Sequence, residues 1–222
     1  MKEKGPLMRL LFPPKCVLCG KILPRGLGEF CPECAVDAPE CPVSHSTLPF
    51  LDSWIAVWYY EGSVRRSLLR YKFYGARHYV HTYGRLLSEK LRQEYPEGFD
   101  ILTWVPISPL RKLTRGFDQV QLLAEVVGQH LDMQPVPTLK KIRNNRPQSG
   151  IVGQAQRRAN VLGVYRVTDP RQITGKRILL LDDIITTGAT AGECARMLLT
   201  AGGEEVHCGA VASARRQVKK SR

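Results

Sequence analysis

The sequence contains no long hydrophobic run. Its longest uninterrupted aliphatic stretch covers residues 178–181, far short of the roughly 20 apolar residues that a membrane-spanning helix needs. A short apolar stretch near the N-terminus is interrupted by Arg9 and is not followed by a small-residue cleavage site, so we expect neither a signal peptide nor membrane insertion. We therefore expect a cytoplasmic protein whose cysteines stay reduced.

Low-complexity segments and internal repeats are also absent from the sequence. The 19 glycines and 15 prolines among 222 residues are scattered and too few for a collagen-like chain. A hydrophobic fraction of 43% is ordinary for a globular protein, and a chain of this length can enclose a hydrophobic core. The composition therefore excludes a fully disordered chain and suits one moderate domain with a small additional module.

Acidic residues are scarce relative to basic ones. The chain has 20 Asp and Glu residues against 33 Lys and Arg residues, which gives a formal net charge of +13. Such a charge indicates polyanionic partners, a class that includes nucleic acids, phosphorylated small molecules and anionic membrane surfaces. Charge alone does not distinguish among these three partners.

Cysteine is concentrated near the N-terminus, where five of the seven cysteines lie within the first 41 residues. Four of them form two CxxC pairs separated by eleven residues, a spacing that suits a tetrahedral Zn²⁺ site. The segment is too short to be stabilised by apolar burial alone. Buried thiols or disulfides are the alternative, but neither explains paired CxxC motifs in a reduced protein. We predict a structural zinc module over residues 1–47, with Cys41 as a bystander and with the ligands Cys16, Cys19, Cys31 and Cys34.

From about residue 48 onward, strand-like and helix-like patterns alternate. The clearest unit is an apolar strand over 177–181, a loop over 182–190, a helix over 191–200 and a strand over 205–212. This order is a βαβ unit, and it predicts an α/β domain with a parallel sheet. The other predicted strands are 53–60, 101–105 and 136–142, and the other predicted helices are 62–73, 82–93 and 118–131. A polar excursion covers residues 143–161. The predicted domain extends over 48–214 and is followed by a basic tail over 215–222.

Two aspartates and a threonine-rich loop follow the strand over 177–181. In an open parallel sheet, ligands bind beyond the carboxyl ends of the strands, where loops lead into helix N-termini. Backbone amides and threonine hydroxyls there can bind a phosphate, and the helix dipole favours the same anion. Asp182 and Asp183 would repel a phosphate but suit the two hydroxyls of a ribose ring. An acidic turn with a threonine-rich helix cap is the alternative, and a Walker B interpretation is disfavoured because the chain has no GxxxxGK[ST] loop.

The segment ILLLDDIITTGAT, residues 178–190, resembles the 5-phosphoribosyl 1-pyrophosphate (PRPP) motif of type I phosphoribosyltransferases. The resemblance implies that Asp182 and Asp183 hold the ribose hydroxyls and that Mg²⁺ arrives with the substrate. The pyrophosphate would lie at the end of an earlier strand, where Ser108 is a candidate donor. The implied ligands of the 5-phosphate are Thr186, Thr187, Gly188, Ala189 and Thr190.

Further segments resemble the ComF family, competence-associated phosphoribosyltransferase-like proteins with an N-terminal zinc module. The resemblance implies a type I phosphoribosyltransferase-like parallel sheet flanked by helices. The chain departs from the family pattern at Asp118, where asparagine is frequent, and this residue is more simply interpreted as the N-cap of the helix over 118–131. The segments that carry the resemblance are 59–75, 105–125, 146–167 and 175–203. The residues that it implies to line or support the ligand cleft are Lys72, Arg111, Arg115, Gly116, Gln119, Arg157 and Asn160.

The basic residues exceed what one PRPP ligand requires. Basic and aromatic side chains interleave over residues 65–92, a pattern typical of surfaces that bind single-stranded DNA through backbone charge and base stacking. Core aromatics beside solvated or PRPP-binding cations are the alternative. The candidate nucleic-acid residues are Arg65, Arg66 and Arg70.

Two functions are consistent with these features. The resemblance favours a competence protein that binds PRPP and handles incoming single-stranded DNA, with DNA-uptake helicase or channel proteins as further partners. The alternative is an active phosphoribosyltransferase that moves ribose 5-phosphate from PRPP to an unidentified nucleophile and releases pyrophosphate. We assign no catalytic residue, because the five histidines show no H-x-E or H-E-x-x-H pattern and such a reaction can rely on electrostatics and positioning.

Overall fold

The central element of the structure is a four-stranded sheet in which every neighbouring pair of strands is parallel. The structure is a computed structural model that describes residues 13–24, 26–42, 48–145, 151 and 153–215. Numbered along the chain, the strands are β1 (Ser53–Tyr59), β2 (Ile101–Trp104), β3 (Leu139–Lys141), β4 (Tyr165–Val167), β5 (Arg177–Ile185) and β6 (Glu205–Ser213). The order across the central sheet is β1–β6–β5–β2, and β3 and β4 form a separate antiparallel pair.

Helices cover both faces of the sheet, because its strands are apolar on both sides. Leu179 and Leu181 of β5 pack into one core cluster, whereas Ile178 and Leu180 pack into another, as expected when successive side chains of a strand point to opposite faces. The described helices are α1 (Pro32–Asp37), α2 (Gly62–Phe73), α3 (Tyr79–Glu94), α4 (Pro109–Arg115), α5 (Gln119–Leu131), α6 (Gln154–Val161) and α7 (Ala189–Thr200), with a 3₁₀ turn over Pro170–Gln172.

The two faces of the sheet carry different structures. Buried side chains of α2, α3 and α5 belong to the first core cluster. Those of α7 belong to the second, together with β3 and β4. The first face therefore lies against three long helices, whereas the second lies against α7 and the small antiparallel pair.

The predicted α/β class and parallel sheet are confirmed, and α2 has the predicted bounds. The predicted N-cap is also present. The Asp118 carboxylate accepts hydrogen bonds from the backbone amides of Val120 and Gln121, both at 3.0 Å, which satisfies two of the free N–H groups at the start of α5.

The predicted loop over 182–190 is wrong in its first half. Strand β5 continues to Ile185, because β6 continues beside it and pairs Ile184 with Ala212 and Ile185 with Ser213. The connecting loop is therefore short, and α7 begins at Ala189. Both aspartates of the motif consequently belong to a strand, where pairing fixes their direction.

The strand predicted over 136–142 is shorter in the structure, and the polar excursion predicted over 143–161 is only partly described. The strand predicted over 136–142 is limited to Leu139–Lys141, and α6 occupies the end of the polar excursion over 143–161. Residues 146–150 of that excursion and residues 216–222 of the basic tail lie outside the described residues.

The cysteine-rich segment packs against the sheet domain. Its buried residues Cys16, Val17 and Leu18 share a core cluster with Ile55 and Tyr83 of the larger domain. The predicted boundary at residue 47 lies outside the described residues. No helix in the described part of the chain has the length and apolar character that a membrane crossing needs.

Candidate functional site

The loop between β5 and α7 has a backbone that only glycine fits. Gly188 has φ of 76°, a left-handed conformation that other residues rarely adopt. A Cβ atom at this position would lie 2.1 Å from Cδ2 of Leu48. Both constraints leave the backbone bare at the entrance to α7. A small cavity of about 20 Å³ is bordered by Asp182, Ile184, Ile185, Thr186, Thr187, Gly188, Ala189, Thr190 and Ala191.

Asp183 is buried and held from two sides. Its Oδ1 atom lies 2.8 Å from Nζ of Lys72, and its Oδ2 atom accepts a hydrogen bond of 3.0 Å from Nε2 of Gln119. Lys72 is in the last turn of α2, and Gln119 begins α5. The carboxylate therefore joins the end of β5 to α2 and α5 on the first face of the sheet.

Asp182 points to the opposite face, since it is the neighbouring residue of the same strand. Its Oδ1 accepts a hydrogen bond of 2.8 Å from the backbone amide of Asp183. Burial, reinforced by the negative charge of Asp183, raises the pKa of Asp182 to about 8, although the charge of Lys72 acts in the other direction. The two acids of the motif therefore have different surroundings.

Ser108 lies at the carboxyl end of β2 and is buried. Its side chain accepts a hydrogen bond of 3.3 Å from the backbone amide of Arg111 and so caps α4. Sequence reasoning missed α4. A serine cap, a proline at the first helical position and the left-handed Gly116 after the last one are the signals that indicate it.

Two arginines of α4 lie beside the site, and both are half-buried. Arg115 places its guanidinium carbon 4.9 Å from the ring centre of Phe73. Burial lowers the pKa of Arg115, and the negative charge of Asp183 opposes this effect. Arg111 donates a hydrogen bond of 3.3 Å to the backbone oxygen of Asn145.

Arg157 and Asn160, also expected at the cleft, lie on α6 and contact residues that precede this helix. The Nε atom of Arg157 donates to the backbone oxygen of Ile151 at 2.8 Å. The backbone oxygen of Asn160 accepts from Nδ2 of Asn145 at 3.1 Å. These contacts attach the described residues Asn145 and Ile151 to α6.

The four predicted metal ligands come together. The ligand atoms of Cys16, Cys19, Cys31 and Cys34 all lie within 4.8 Å of one another, and the sulfurs of Cys19 and Cys31 are 3.7 Å apart. A tetrahedral zinc with Zn–S bonds of about 2.3 Å separates its sulfurs by about 3.8 Å. The cysteines therefore fit a closed structural zinc site, and Cys41 is not part of the cluster.

Arg70, a candidate for nucleic-acid binding, lies in different surroundings from the other two candidates, Arg65 and Arg66. Its guanidinium donates to the backbone oxygens of Leu18 at 2.6 Å and Val17 at 3.3 Å, and so attaches the cysteine module to α2. Arg65 and Arg66 are exposed. The structure thus gives Arg70 a structural contact with the cysteine module, and its role in nucleic-acid binding stays a prediction.

Comparisons with known proteins matched a family model and several relatives. A family model described as the phosphoribosyl transferase domain matches residues 119–222. The competence protein ComFC of Bacillus subtilis is 30% identical over 189 residues, which cover 84% of this chain and 72% of the relative. The chain belongs to the ComF family. It has the type I phosphoribosyltransferase fold with an N-terminal cysteine cluster.

Two further relatives place the chain in the same group. The competence protein ComFC of Streptococcus pneumoniae is 31% identical over 193 residues, 85% of this chain and 77% of the relative. The DNA utilization protein YhgH of Escherichia coli O157:H7 is 28% identical over 220 residues, 89% of this chain and 96% of the relative. These relatives cover far more of the chain than the domain model alone.

In this ComF family member, the site extends beyond the matched domain. Gln119, both aspartates and the loop at Gly188 lie within residues 119–222. Lys72 and Ser108 precede the match, yet the fold brings Lys72 to the acid at the end of β5. The N-terminal half of the ComF chain therefore contributes directly to the candidate site.

Lys141 is a candidate residue that sequence reasoning did not find. It lies on β3, and its Nζ atom is 5.5 Å from the ring centre of Tyr165. Burial, together with the positive charge of Arg111, lowers the pKa of Lys141 to about 8, and the charge of Asp182 opposes this effect. No motif surrounds this lysine in the sequence, and only the pairing of β3 with β4 places it at the second face.

Proposed function

We propose that this ComF family member is a cytoplasmic competence protein that binds PRPP with Mg²⁺ and handles incoming single-stranded DNA. The observation that carries the PRPP assignment is the position of the buried Asp183, paired with Lys72, at the end of the strand that precedes the loop at Gly188. The names of the relatives, competence protein and DNA utilization protein, support the role in DNA handling.

The 5-phosphate is assigned to the loop from Thr186 to Thr190. Its threonine hydroxyls and backbone amides lie at the start of α7, a helix of 12 residues, and the dipole of that helix favours an anion. The bare backbone at Gly188 supports the assignment, because a phosphate can approach it closely. The ribose hydroxyls are assigned to Asp182 and Asp183, which precede the loop.

The pyrophosphate is assigned to the carboxyl end of β2. Ser108 and the half-buried side chains of Arg111 and Arg115 lie there, and guanidinium groups suit phosphate oxygens because they donate two parallel hydrogen bonds. Mg²⁺ would be held mainly by substrate oxygens and water, with the aspartates of β5 as protein partners. The metal would neutralise part of the charge of the diphosphate.

Calorimetry with separated parts of the ligand tests the assignment. We expect PRPP with Mg²⁺ to bind more tightly than ribose 5-phosphate or pyrophosphate alone, because one ligand engages both strand ends at once. The substitutions Thr186→Val/Thr187→Val should weaken binding of ribose 5-phosphate and leave pyrophosphate binding unchanged. Equal affinity of wild type and variant for ribose 5-phosphate would remove the loop from the site.

An active phosphoribosyltransferase is the second candidate function. The observation that favours it is the presence of two titratable groups near neutrality, Asp182 and Lys141, on the same face of the site, since groups with shifted pKa values are frequent at reacting centres. Release of pyrophosphate from PRPP, measured with free bases, amines and DNA as acceptors, tests this function. PRPP binding without turnover would support the binding protein.

The DNA-handling role draws on the charge of the chain. Its net charge of +13 exceeds what one diphosphate ligand needs, and Arg65 and Arg66 are exposed on α2. DNA-uptake helicase or channel proteins are the partners that a competence role would require. Salt-dependent binding of a single-stranded oligonucleotide tests the DNA part of the proposal.

A further inference from the structure

An open groove of about 460 Å³ lies beside the proposed PRPP site. It runs between the start of α3, the end of α4 and the start of α5. Asp118 borders the groove, and the next residue, Gln119, bonds to Asp183 in the PRPP site. Its other lining residues are Arg77, His78, Val80, His81, Lys112, Phe117, Gln121, Leu122 and Glu125.

Two aromatic rings face solvent at the end of α2, shortly before the groove residue Arg77 in the chain. Phe73 is 57% exposed and Tyr74 is 78% exposed at the end of α2. The other tyrosines of this stretch, Tyr71, Tyr79 and Tyr83, are buried in the core. The exposed rings therefore do not serve the core of the chain, and adjacent exposed rings are a feature of binding surfaces.

Arginine side chains lie over the exposed ring of Phe73 and over Phe117 in the groove. Arg115 lies over Phe73 with its guanidinium carbon 4.9 Å from the ring centre, and Arg77 lies over Phe117 at 4.5 Å. Lys112 is exposed on the wall of the groove. Rings stacked with guanidinium groups offer flat surfaces that carry positive charge.

Negative charge on this surface is limited. Among the lining residues that the structure describes, the acids are Asp118 and Glu125. The Asp118 carboxylate is buried and accepts two backbone hydrogen bonds. Glu125 is exposed and accepts a hydrogen bond from Gln121. The cations therefore outweigh the acids that reach solvent.

We propose that this surface, defined by Phe73, Tyr74, Arg77, Lys112 and Phe117 and called the ring groove, binds single-stranded DNA. The inference deepens the proposed function and rests on it. Unpaired bases can stack on exposed rings, whereas the bases of a duplex are already stacked on one another. The basic side chains complement the phosphates of the same strand.

The ring groove also has a direct connection to the proposed PRPP site. Phe73 follows Lys72, which is paired with Asp183, and Phe117 lies two residues before Gln119. Arg65 and Arg66 lie near the other end of α2. The ring groove thus replaces these arginines as the principal contact for DNA and sets the strand beside the PRPP site.

Fluorescence anisotropy of the full chain with a labelled oligothymidylate tests the ring groove. The substitutions Phe73→Ala/Tyr74→Ala should weaken binding about tenfold or more. The substitutions Phe73→Trp/Tyr74→Trp keep the stacking surface and should retain wild-type affinity. Both pairs change exposed positions, so thermal unfolding followed by circular dichroism should stay near that of the wild type.

The phosphate contacts are tested by the salt dependence of the same binding. Arg77→Gln/Lys112→Gln should reduce the slope of log K against log salt by about 1.4, since each single-strand phosphate contact contributes about 0.7. Arg171→Gln/Lys176→Gln removes the same charge before the amino end of β5, whereas α4 follows the carboxyl end of β2. This control should leave the slope nearly unchanged.

The outcomes separate this inference from the proposed function. A wild-type chain that binds no single strand would contradict the DNA part of the proposed function itself. Wild-type binding that survives loss of both rings but falls with Arg65→Gln/Arg66→Gln would overturn the ring groove alone. Equal affinity for a DNA duplex, or a preference for single-stranded RNA over DNA, would also overturn it.

Discussion

The Nζ atom of Lys72 lies 2.8 Å from Oδ1 of Asp183 although the two residues are 111 positions apart in the chain. Their side chains are only 15% and 9% exposed. Gln119 donates to the other carboxylate oxygen, so each oxygen of the acid assigned to the ribose accepts from one protein group. Each oxygen keeps a second acceptor site, which a ribose hydroxyl can use without breaking the pair.

Removal of the lysine should destabilise the fold. A buried charge that loses its partner costs about 3–5 kcal/mol, so Lys72→Met should lower the free energy of unfolding by about 3 kcal/mol, as measured by urea denaturation. In Lys72→Met/Asp183→Asn the charge is gone as well, and part of the stability should return. A double variant no more stable than Lys72→Met would show that the two side chains are not coupled.

Proton binding to Asp182 should make stability depend on pH. Its pKa of about 8 in the folded chain lies above the ordinary 3.8, so the folded state binds more protons than the unfolded state between these values. Stability should therefore fall as the pH rises from about 4 to 8. Asp182→Asn removes this contribution, and its gain over the wild type in denaturant unfolding should be larger at pH 8 than at pH 5. A constant difference between variant and wild type would refute the shifted pKa.

The same acid should affect PRPP binding. The ionised carboxylate is the better partner for hydroxyls and Mg²⁺, so binding should release a proton near pH 7, and calorimetric heats should vary with the ionisation enthalpy of the buffer. Asp182→Asn serves as the control for protons released by the ligand itself. Equal proton release from wild type and variant would assign the proton to PRPP.

Gly188→Ala should damage both the fold and the phosphate loop. The variant combines a left-handed conformation, which costs about 1 kcal/mol or more, with a collision against Leu48. Gly175→Ala is the matched control, because Gly175 has φ of 64° and open space around its Cβ position. We expect a larger stability loss and loss of PRPP binding for Gly188→Ala alone, and Leu48→Ala/Gly188→Ala should recover part of the stability. Similar stability losses for Gly188→Ala and Gly175→Ala would show that the left-handed backbone, and not the collision with Leu48, causes the loss.

The cysteine cluster should bind one zinc ion per chain. Cys16→Ser should lose zinc, as measured by atomic absorption, whereas Cys41→Ala should retain it because Cys41 is outside the cluster. Zinc loss should also lower thermal stability, since residues of the module form part of a core shared with the sheet domain. Full zinc content in Cys16→Ser would exclude the four-cysteine site.

Local patterns in the sequence predicted much of the fold. The bounds of α2, the cap at Asp118 and the order of β5, α7 and β6 follow from signals within a few residues of each element. Strand β5 was predicted too short, because aspartates disfavour a strand and the pairing with β6 that extends it is not local. Helix α4 has no apolar face that packs into the core, since its Leu110 and Leu113 are exposed. The spacing of apolar residues in the sequence therefore does not indicate this helix.

The candidate site was predictable only where it lies in one motif. The aspartates and the loop that follows them were found together, but the partners of Asp183 come from α2 and α5. The aromatic pattern did not distinguish the buried Tyr71 from the exposed Tyr74, because burial depends on where α2 ends. The local pattern also does not separate Arg70 from Arg65, because the partners of Arg70 in the cysteine module lie about 50 positions away in the chain.

Calorimetric titration of the chain with PRPP and Mg²⁺ tests the central claim most directly. We expect saturable binding by the wild type, and a loss of at least about tenfold in affinity for Asp182→Asn/Asp183→Asn, since hydrogen bonds to charged groups contribute about 1.5–3 kcal/mol each. Circular dichroism should first show that the variant is folded. A folded variant that binds PRPP as tightly as the wild type would contradict the account.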